Sequence, residues 1–256
     1  MVAELPRSVQ EAALSLLLSP LLLAAPRGHG APVLVLPGLL TGDVQTSALR
    51  AVLRWLGHDS HGWQLGLNVG PQLRVERRLA ARVETLAEES GQPVAVVGWS
   101  LGGIYARVLA RRHPEHVGQV ITLGSPFRLA RHSQSRATRV FERFSHLHIE
   151  HRTLPLERDA GPLPVPSTSI YSHLDGIVAW QACLDTPTAR CENIAVLASH
   201  LGLGHHPAAI WAIADRLAQP EGTWQPFRAP LFRRPAFPRP DGPGPESPAD
   251  AHGSAA

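Results

Sequence analysis

The chain has 256 residues, of which 44% are hydrophobic, 18% charged and 5% aromatic, a globular composition that excludes a disordered or fibrous chain. The formal net charge is +3, and because the basic residues are all arginines, scattered and without interleaved aromatics, we expect no nucleic-acid partner. Cys183 and Cys191 are too few for a disulfide scaffold and lack zinc-type spacing.

The N-terminal segment, residues 1–30, is predicted to hold an apolar helix rather than a membrane span. Its longest apolar run, residues 12–25, is shorter than the roughly 18 to 20 residues that a span needs. A secretory signal fits less well than a helix on the domain or on a membrane surface, because acidic residues flank Arg7 and Pro26 lies where cleavage would be needed. We expect a cytoplasmic protein, with secretion or peripheral membrane contact through this segment left open.

From residue 31 to 219, short β-branched runs alternate with helical periodicity. This pattern predicts an α/β domain with a mostly parallel central sheet flanked by helices. Strands are predicted near residues 33–36, 58–65, 94–97, 119–123, 167–172 and 192–197. Helices are predicted at 43–56, around 75–86, at 101–112 and at 207–217.

Two stretches depart from this alternation. Residues 127–165 are rich in Arg and His and predict a lid or cap insertion, in which Phe141 and Phe144 line an acyl pocket or pack as ordinary core. Residues 220–256 are Pro-rich and predict an extended or disordered tail, with Trp224 and Phe227 tethering its start.

The strongest chemical signal is Gly98-Trp99-Ser100-Leu101-Gly102, which matches G-x-S-x-G between a buried strand and a helix. A nucleophile elbow requires this context, since flanking glycines let the backbone turn sharply and hold the serine hydroxyl clear of the sheet. On its own the pattern is weak, and a Gly-rich turn with a capping serine is the alternative.

An acid is needed next, because a serine hydroxyl requires a base and the base an orienting carboxylate, in the chain order Ser, acid, His. Asp175 follows a predicted strand and precedes Gly176, so it lies at a carboxyl strand end, although a turn-forming Asp-Gly is the alternative. Asp185 is the competitor, farther from a strand end. Asp43 and Asp159 come before the last strand pair and fit worse.

The base must come from the loop between the last strand and the last helix, where His200, His205 and His206 occur together. His200 directly follows the strand and is favoured, whereas the other two precede Pro207 and suggest a helix entry. Zinc binding by this trio is disfavoured, because no acidic or cysteine ligand stands at a matching spacing and H-E-x-x-H is absent. We therefore expect no metal.

Donors for an oxyanion are expected at two places. The elbow supplies the backbone N–H of Leu101, and the loop 37–42 after the first strand supplies that of Leu39, with Gly38 permitting the turn. A plain connecting turn is the alternative for this loop. Its place at the carboxyl end of a parallel strand, where α/β proteins bind ligands, favours the site.

Together these motifs resemble the α/β-hydrolase superfamily, specifically its esterase and lipase branch, which includes bacterial triacylglycerol lipases, over residues 32–217. The resemblance implies an α/β-hydrolase fold and assigns Ser100 as nucleophile, Asp175 as acid, His200 as base, and the amides of Leu39 and Leu101 as oxyanion hole. One departure is Pro37, where many such lipases have His before the glycine.

The predicted function is therefore a serine esterase or lipase-like hydrolase without a cofactor, acting on a small-molecule or lipid ester through an acyl-enzyme. Acyl transfer to another acceptor uses the same triad, and a ligand-binding protein that has lost turnover is the non-enzymatic alternative. Epoxide or haloalkane hydrolysis is disfavoured, since the elbow carries serine instead of a carboxylate. Cys183 and Cys191 would either form a disulfide between acid and base or remain free thiols.

Overall fold

The computed structural model describes residues 19–128 and 161–240, and the centre of this part of the chain is a six-stranded sheet. Its strands are β1 (Pro32–Leu36), β2 (Asp59–Gly62), β3 (Val94–Trp99), β4 (Val117–Leu123), β5 (Ser167–Tyr171) and β6 (Cys191–Ala195). The order across the sheet is β2-β1-β3-β4-β5-β6, and every neighbouring pair is parallel. The predicted strands are thus all present, with small shifts of their bounds.

The predicted helices are also present, as α1 (Asp43–Trp55), α2 (Leu73–Ser90), α3 (Leu101–Arg112) and α4 (Pro207–Leu217). In α2 the sequence pattern that predicts a helix is clear, because its apolar residues recur every three or four positions and form one buried face. It ends at Gly91, whose φ of 68° is the left-handed conformation that glycine adopts readily at a helix end.

The helices cover both faces of the sheet and build two cores. Along β1, Val33 and Val35 pack with α1 and α4, whereas Leu34 and Leu36 pack with α2 and α3. Successive side chains of a strand point to opposite faces, so a strand covered on both sides needs a continuous apolar run. The arrangement confirms the predicted α/β class.

The six described strands run in the same direction, so the loops that follow them lie at one edge of the sheet, the carboxyl edge. The segments after β1, β3, β5 and β6 meet there, and they hold the residues predicted to do chemistry. The fold therefore brings together positions that are far apart in the sequence.

The described part of the N-terminal segment packs on the domain. Ser19–Ala24 forms a 3₁₀ helix, and Leu22 and Ala25 are buried in the core that contains α4. Residues 1–18 lie outside the described residues. In the described ranges, no helix combines the length and the apolar character needed to cross a bilayer.

The predicted insertion is described only at its two ends, where Phe127, Leu163 and Val165 are buried in the core beside α3. Residues 129–160, which include Phe141 and Phe144, lie outside the described residues, and the predicted lid remains a prediction.

The described part of the tail, residues 220–240, contacts the domain at Phe227, one of the two residues predicted to tether its start. The N–H of Phe227 donates to the buried carboxylate of Glu192 at 2.7 Å, and the Phe227 ring packs against Phe237 with centroids 4.8 Å apart. Leu231–Ala236 forms a short 3₁₀ helix between them. A buried acceptor and an aromatic contact thus hold this Pro-rich segment against the domain. Residues 241–256 lie outside the described residues.

Candidate active site

Ser100 occupies the sharp turn between β3 and α3. Its backbone has φ 52° and ψ −118°, a conformation that a residue with a side chain rarely adopts. Hydrogen bonds on both sides hold it there, since Ser100 N–H donates to Leu123 O at 2.8 Å and Gly103 N–H donates to Ser100 O at 3.0 Å. Such strain costs about 1–3 kcal/mol and is typical of functional sites.

Close backbone packing explains the glycines around this serine. A Cβ at Gly98 would collide with the backbone of Gly102 and Gly103, and a Cβ at Gly102 would collide with Leu36 O at the end of β1. A Cβ at Gly103 would collide with the Ser125 side chain. The small residues thus let α3 begin directly against β1 and β3, which is what the elbow geometry needs.

We expect Gly98→Ala to lower the free energy of unfolding by about 1–3 kcal/mol, the usual cost of forcing extra atoms into a packed region. The added methyl would meet backbone atoms that cannot rotate away. Urea unfolding followed by circular dichroism measures the change. The matched control is Gly161→Ala, where a Cβ meets nothing within 4 Å and the stability should stay the same. Equal effects of the two substitutions would contradict the packing argument.

Asp175 and His200 form a buried pair on the loops after β5 and β6. Asp175 Oδ2 and His200 Nδ1 are 2.6 Å apart, and the two side chains are 1% and 5% exposed. The other carboxylate oxygen, Oδ1, accepts from the N–H groups of Ile177 at 2.9 Å and Val178 at 2.7 Å. With the carboxylate ionised, His200 Nδ1 must carry the hydrogen of this bond. Nε2 is then the ring nitrogen that can accept a proton.

Ser172 ties the two loops of this pair together. Its buried hydroxyl oxygen accepts from Leu174 N–H at 3.0 Å, on the loop of Asp175, and from Ala198 N–H at 3.2 Å, on the loop of His200. Ser172 is predicted only as the end of a strand, and no local pattern in the sequence distinguishes it. One hydroxyl therefore fixes the distance between the acid loop and the base loop.

Residues at the ends of β3 and β4 lie beside the acid–base pair. The indole Nε1–H of Trp99 donates to His200 O at 3.1 Å, so the elbow is joined to the base loop. Gly124, which follows β4 with φ 54°, lies beside the pair, because a Cβ there would be 3.1 Å from both Asp175 Oδ2 and His200 Nδ1. The strand ends that carry Ser100, Asp175 and His200 thus converge on one region of the carboxyl edge.

The loop after β1 lies directly against Ser100. A Cβ at Gly38 would be 3.3 Å from Ser100 Cβ, and Thr41 Oγ1–H donates back to Gly38 O at 2.8 Å. The predicted oxyanion donor Leu39 therefore stands next to a residue in contact with the elbow. The second donor, Leu101, is the first residue of α3, where a backbone N–H has no acceptor within the helix.

The competing acids make other contacts. Asp185 forms a buried ion pair with Arg107, at 2.5 Å between Oδ2 and Nη1, which ties its loop to α3. Asp43 accepts from Trp63 N–H at 3.0 Å and joins α1 to the chain after β2. Asp159 lies outside the described residues. The hydrogen bond to His200 distinguishes Asp175 from these two described carboxylates.

The competing histidines belong to the approach to α4. His206 is the N-cap of that helix, and its Nδ1 accepts from Ala208 N–H at 3.3 Å. His205 is half-buried, and its backbone N–H donates to Gly202 O at 2.9 Å. His205 and His206 thus lie directly before α4, where the sequence predicts a helix entry.

Both cysteines are buried free thiols, so no disulfide joins the acid and base segments. Burial raises the pKa of the Cys191 thiol to about 12, with the charge of Asp185 adding to the effect. Burial, and then the charge of Asp175, also raise the pKa of Cys183 well above its usual value. Thiols held in the protonated form are poor nucleophiles, which leaves Ser100 as the better candidate.

Comparisons with known proteins agree with the α/β fold described above. A family model described as alpha/beta hydrolase fold matches residues 74–158. Aspergillus fumigatus lipase B is 18% identical with a TM-score of 0.57, covering 74% of this chain and 53% of the lipase. A pyrethroid hydrolase from Sphingobium faniae is 16% identical with a TM-score of 0.54, covering 75% of this chain and 99% of the other. The metagenomic carboxyl esterase MGS0156 is 13% identical with a TM-score of 0.53, covering 75% and 76%.

The chain is therefore a protein of the α/β-hydrolase fold, as the motifs predicted. Its structural neighbours in that fold include lipases and esterases. The chain spans about half the length of the Aspergillus lipase, at 53%. No curated protein matches the sequence.

Proposed function

We propose that this protein is a serine hydrolase of carboxylic esters, with Ser100 as nucleophile, His200 as general base and Asp175 as the acid that orients the base. The observation that carries the proposal is the buried hydrogen bond between Asp175 and His200, at the edge where the strained Ser100 turn lies. The lipases and esterases among proteins of the same fold support the reaction class.

The proposed reaction begins with proton transfer from Ser100 Oγ to His200 Nε2 as the oxygen attacks the ester carbonyl. The N–H groups of Leu39 and Leu101 stabilise the oxyanion of the tetrahedral intermediate. The ester C–O bond then breaks, the alcohol leaves with the proton from His200, and an acyl-enzyme remains. Water, deprotonated by the same nitrogen, attacks the acyl group. The bond between the acyl carbon and Ser100 Oγ breaks, His200 returns the proton to Oγ, and the carboxylic acid is released. The cycle uses no cofactor.

Apolar side chains at the carboxyl edge support an ester with a hydrophobic acyl group, either a small molecule or a lipid. The exposed residues there stand on the helix starts and loops that follow the strands: Val44, Leu67, Leu73, Leu174 and Leu197. Three of them follow β1 or β2 and two follow β5 or β6, so they lie on both sides of β3, the strand that ends at Ser100. Exposed apolar groups beside a candidate site are typical of surfaces that bind apolar ligands.

A panel of p-nitrophenyl esters of graded acyl length, with and without detergent micelles, tests the proposal. We expect kcat/KM to rise with acyl length, by at most the equivalent of about 0.8 kcal/mol for each buried methylene group. A burst of p-nitrophenol equal to the enzyme concentration would report an acyl-enzyme. Product analysis with added alcohols separates hydrolysis from acyl transfer.

A fluorophosphonate probe provides the direct test of the nucleophile, since it reacts with activated serines. We expect one adduct, located on Ser100 by peptide mass spectrometry. Folded protein that forms no adduct and hydrolyses no ester in the panel would favour a ligand-binding protein and reject the proposal.

A further inference from the structure

We propose that Asn68 is a positioning residue for the oxyanion hole, holding the loop after β1 in the conformation that presents Leu39 N–H toward Ser100. This inference rests on the proposed function and deepens it. No sequence pattern points to this role for Asn68, because the residue follows β2, whereas the loop that it contacts follows β1.

Three hydrogen bonds join Asn68 to the loop. Its side-chain Nδ2–H donates to Pro37 O at 2.9 Å, on one side of Leu39. Its backbone O accepts from Leu40 N–H at 2.7 Å, and its backbone N–H donates to Thr41 O at 2.9 Å, on the other side. The oxyanion donor is thus bracketed by contacts to one fully buried residue.

The opposite end of the amide is held as well. Asn68 Oδ1 accepts from Gly70 N–H at 3.2 Å and from the Tyr105 hydroxyl at 3.4 Å. These two donors require an oxygen at that position, so the nitrogen must face Pro37 O. Tyr105 belongs to α3, the helix that starts at the elbow, and burial raises the pKa of Tyr105 so that its hydroxyl stays a donor. Asn68 therefore links the oxyanion loop to the elbow helix.

The loop needs such support because its conformation is strained. Leu40 has φ 56°, in the left-handed region that a leucine rarely adopts. A residue remains in this region only when its surroundings fix it, and the bond from Leu40 N–H to Asn68 O does so directly. A loop that relaxed here would move Leu39 N–H, and a misplacement of about 1 Å can cost a catalytic group about 100-fold in rate.

The Pro37 departure from the lipase pattern fits this arrangement. Proline has no N–H, but its carbonyl oxygen accepts the Asn68 bond, and its fixed φ restrains the loop entry. The Pro37 carbonyl oxygen also lies close to the elbow, since a Cβ at Gly102 would be 2.9 Å from it. The Pro37 carbonyl group therefore lies between Asn68 and the elbow.

The test is Asn68→Asp, which keeps the shape and the acceptor for Gly70 and Tyr105 but replaces the donor to Pro37 O by an acceptor. We expect kcat for p-nitrophenyl butyrate to fall by about 10- to 100-fold, with KM changed by less than about twofold, because oxyanion contacts form in the transition state. The inhibition constant of a trifluoromethyl ketone, which forms a tetrahedral adduct, should rise in proportion to the loss of kcat/KM.

The matched control is Asn193→Asp. Asn193 is also buried, and its amide makes a similar pair of bonds, both at 2.8 Å, to the backbone of Asp185 instead of the oxyanion loop. We expect this variant to lose stability but to keep kcat within about twofold once corrected for folded protein by near-UV circular dichroism. If the aspartate variants do not fold, Asn68→Ala and Asn193→Ala replace them with the same expectations.

The outcomes separate this inference from the proposed function. The positioning role alone would be overturned if the probe labels Ser100 of the wild-type protein but the Asn68 variant keeps the wild-type kcat and inhibition constant. Equal losses of kcat in the Asn68 and Asn193 variants would also overturn it, since both effects would then reflect general destabilisation. Wild-type protein without a Ser100 adduct would overturn the proposed function and this inference with it.

Discussion

Ser100→Ala is expected to reduce p-nitrophenyl ester hydrolysis by about 10³- to 10⁶-fold while the protein remains folded. The substitution removes the oxygen that, in the proposed reaction, forms the acyl bond, and the other groups of the proposed site act through that oxygen. Alanine keeps the Cβ that packs 3.3 Å from the Cβ position of Gly38, so the turn and its neighbours are undisturbed. The left-handed φ of 52° remains equally unfavourable in both proteins, and their stabilities should be similar.

Steady-state assays on the purified variant, together with urea unfolding, measure the two quantities. Ser90→Ala is the control, because Ser90 is an exposed serine at the end of α2 whose hydroxyl bonds to Leu86 O at 2.7 Å, and its activity should be unchanged. If Ser100→Ala retained wild-type turnover, another nucleophile would have to be sought and the elbow would be a structural turn.

The sequence predicts the sheet well because burial on both faces leaves a local pattern. Residues 94–97 form a continuous apolar run bounded by glycine, which predicts a central strand, and the structure has β3 there. The bounds of α3 and α4 agree with the predicted 101–112 and 207–217, since the sharp turn at Ser100 precedes one and Pro207 opens the other. Ser100 is found by the same local logic, as the residue between a strand and a helix.

The polar contacts that organise the site leave no such pattern, because their partners are distant in the chain. Asn68 bonds to a carbonyl 31 residues away, and Ser172 bonds to an amide 26 residues away. Asp185, the competing acid, is instead paired with Arg107, which lies 78 residues away in the chain. Position along the chain favoured Asp175 only by its closeness to a strand end, and the geometry adds its bond to His200.

The start of the tail also depends on a contact with residues that are distant in the chain. Its proline content predicts an extended or disordered segment from residue 220. The fold supplies a buried ion pair, Arg216 Nη1 to Glu192 Oε1 at 2.8 Å, and the free oxygen of that carboxylate accepts Phe227 N–H. A buried carboxylate needs its hydrogen bonds satisfied, so residues 220–240 gain a partner that composition cannot indicate.

His200→Ala is expected to lower kcat/KM for ester hydrolysis by at least about 10³-fold, because in the proposed reaction the imidazole takes the Ser100 proton and gives it to the alcohol. His205→Ala is the matched control on the same loop, and it should stay within about threefold of wild type, since the hydrogen bond to Asp175 is made by His200. The two variants have similar changes in size, and each loses one imidazole.

Parallel assays of the two variants under the same conditions give the ranking directly. His206→Ala adds a third comparison, because loss of the α4 N-cap should cost about 1 kcal/mol of stability and leave turnover intact. A larger loss in His205→Ala or His206→Ala than in His200→Ala would move the base to that residue. Asp175 would then have to orient a group that it does not contact, so the acid assignment would fall together with the base.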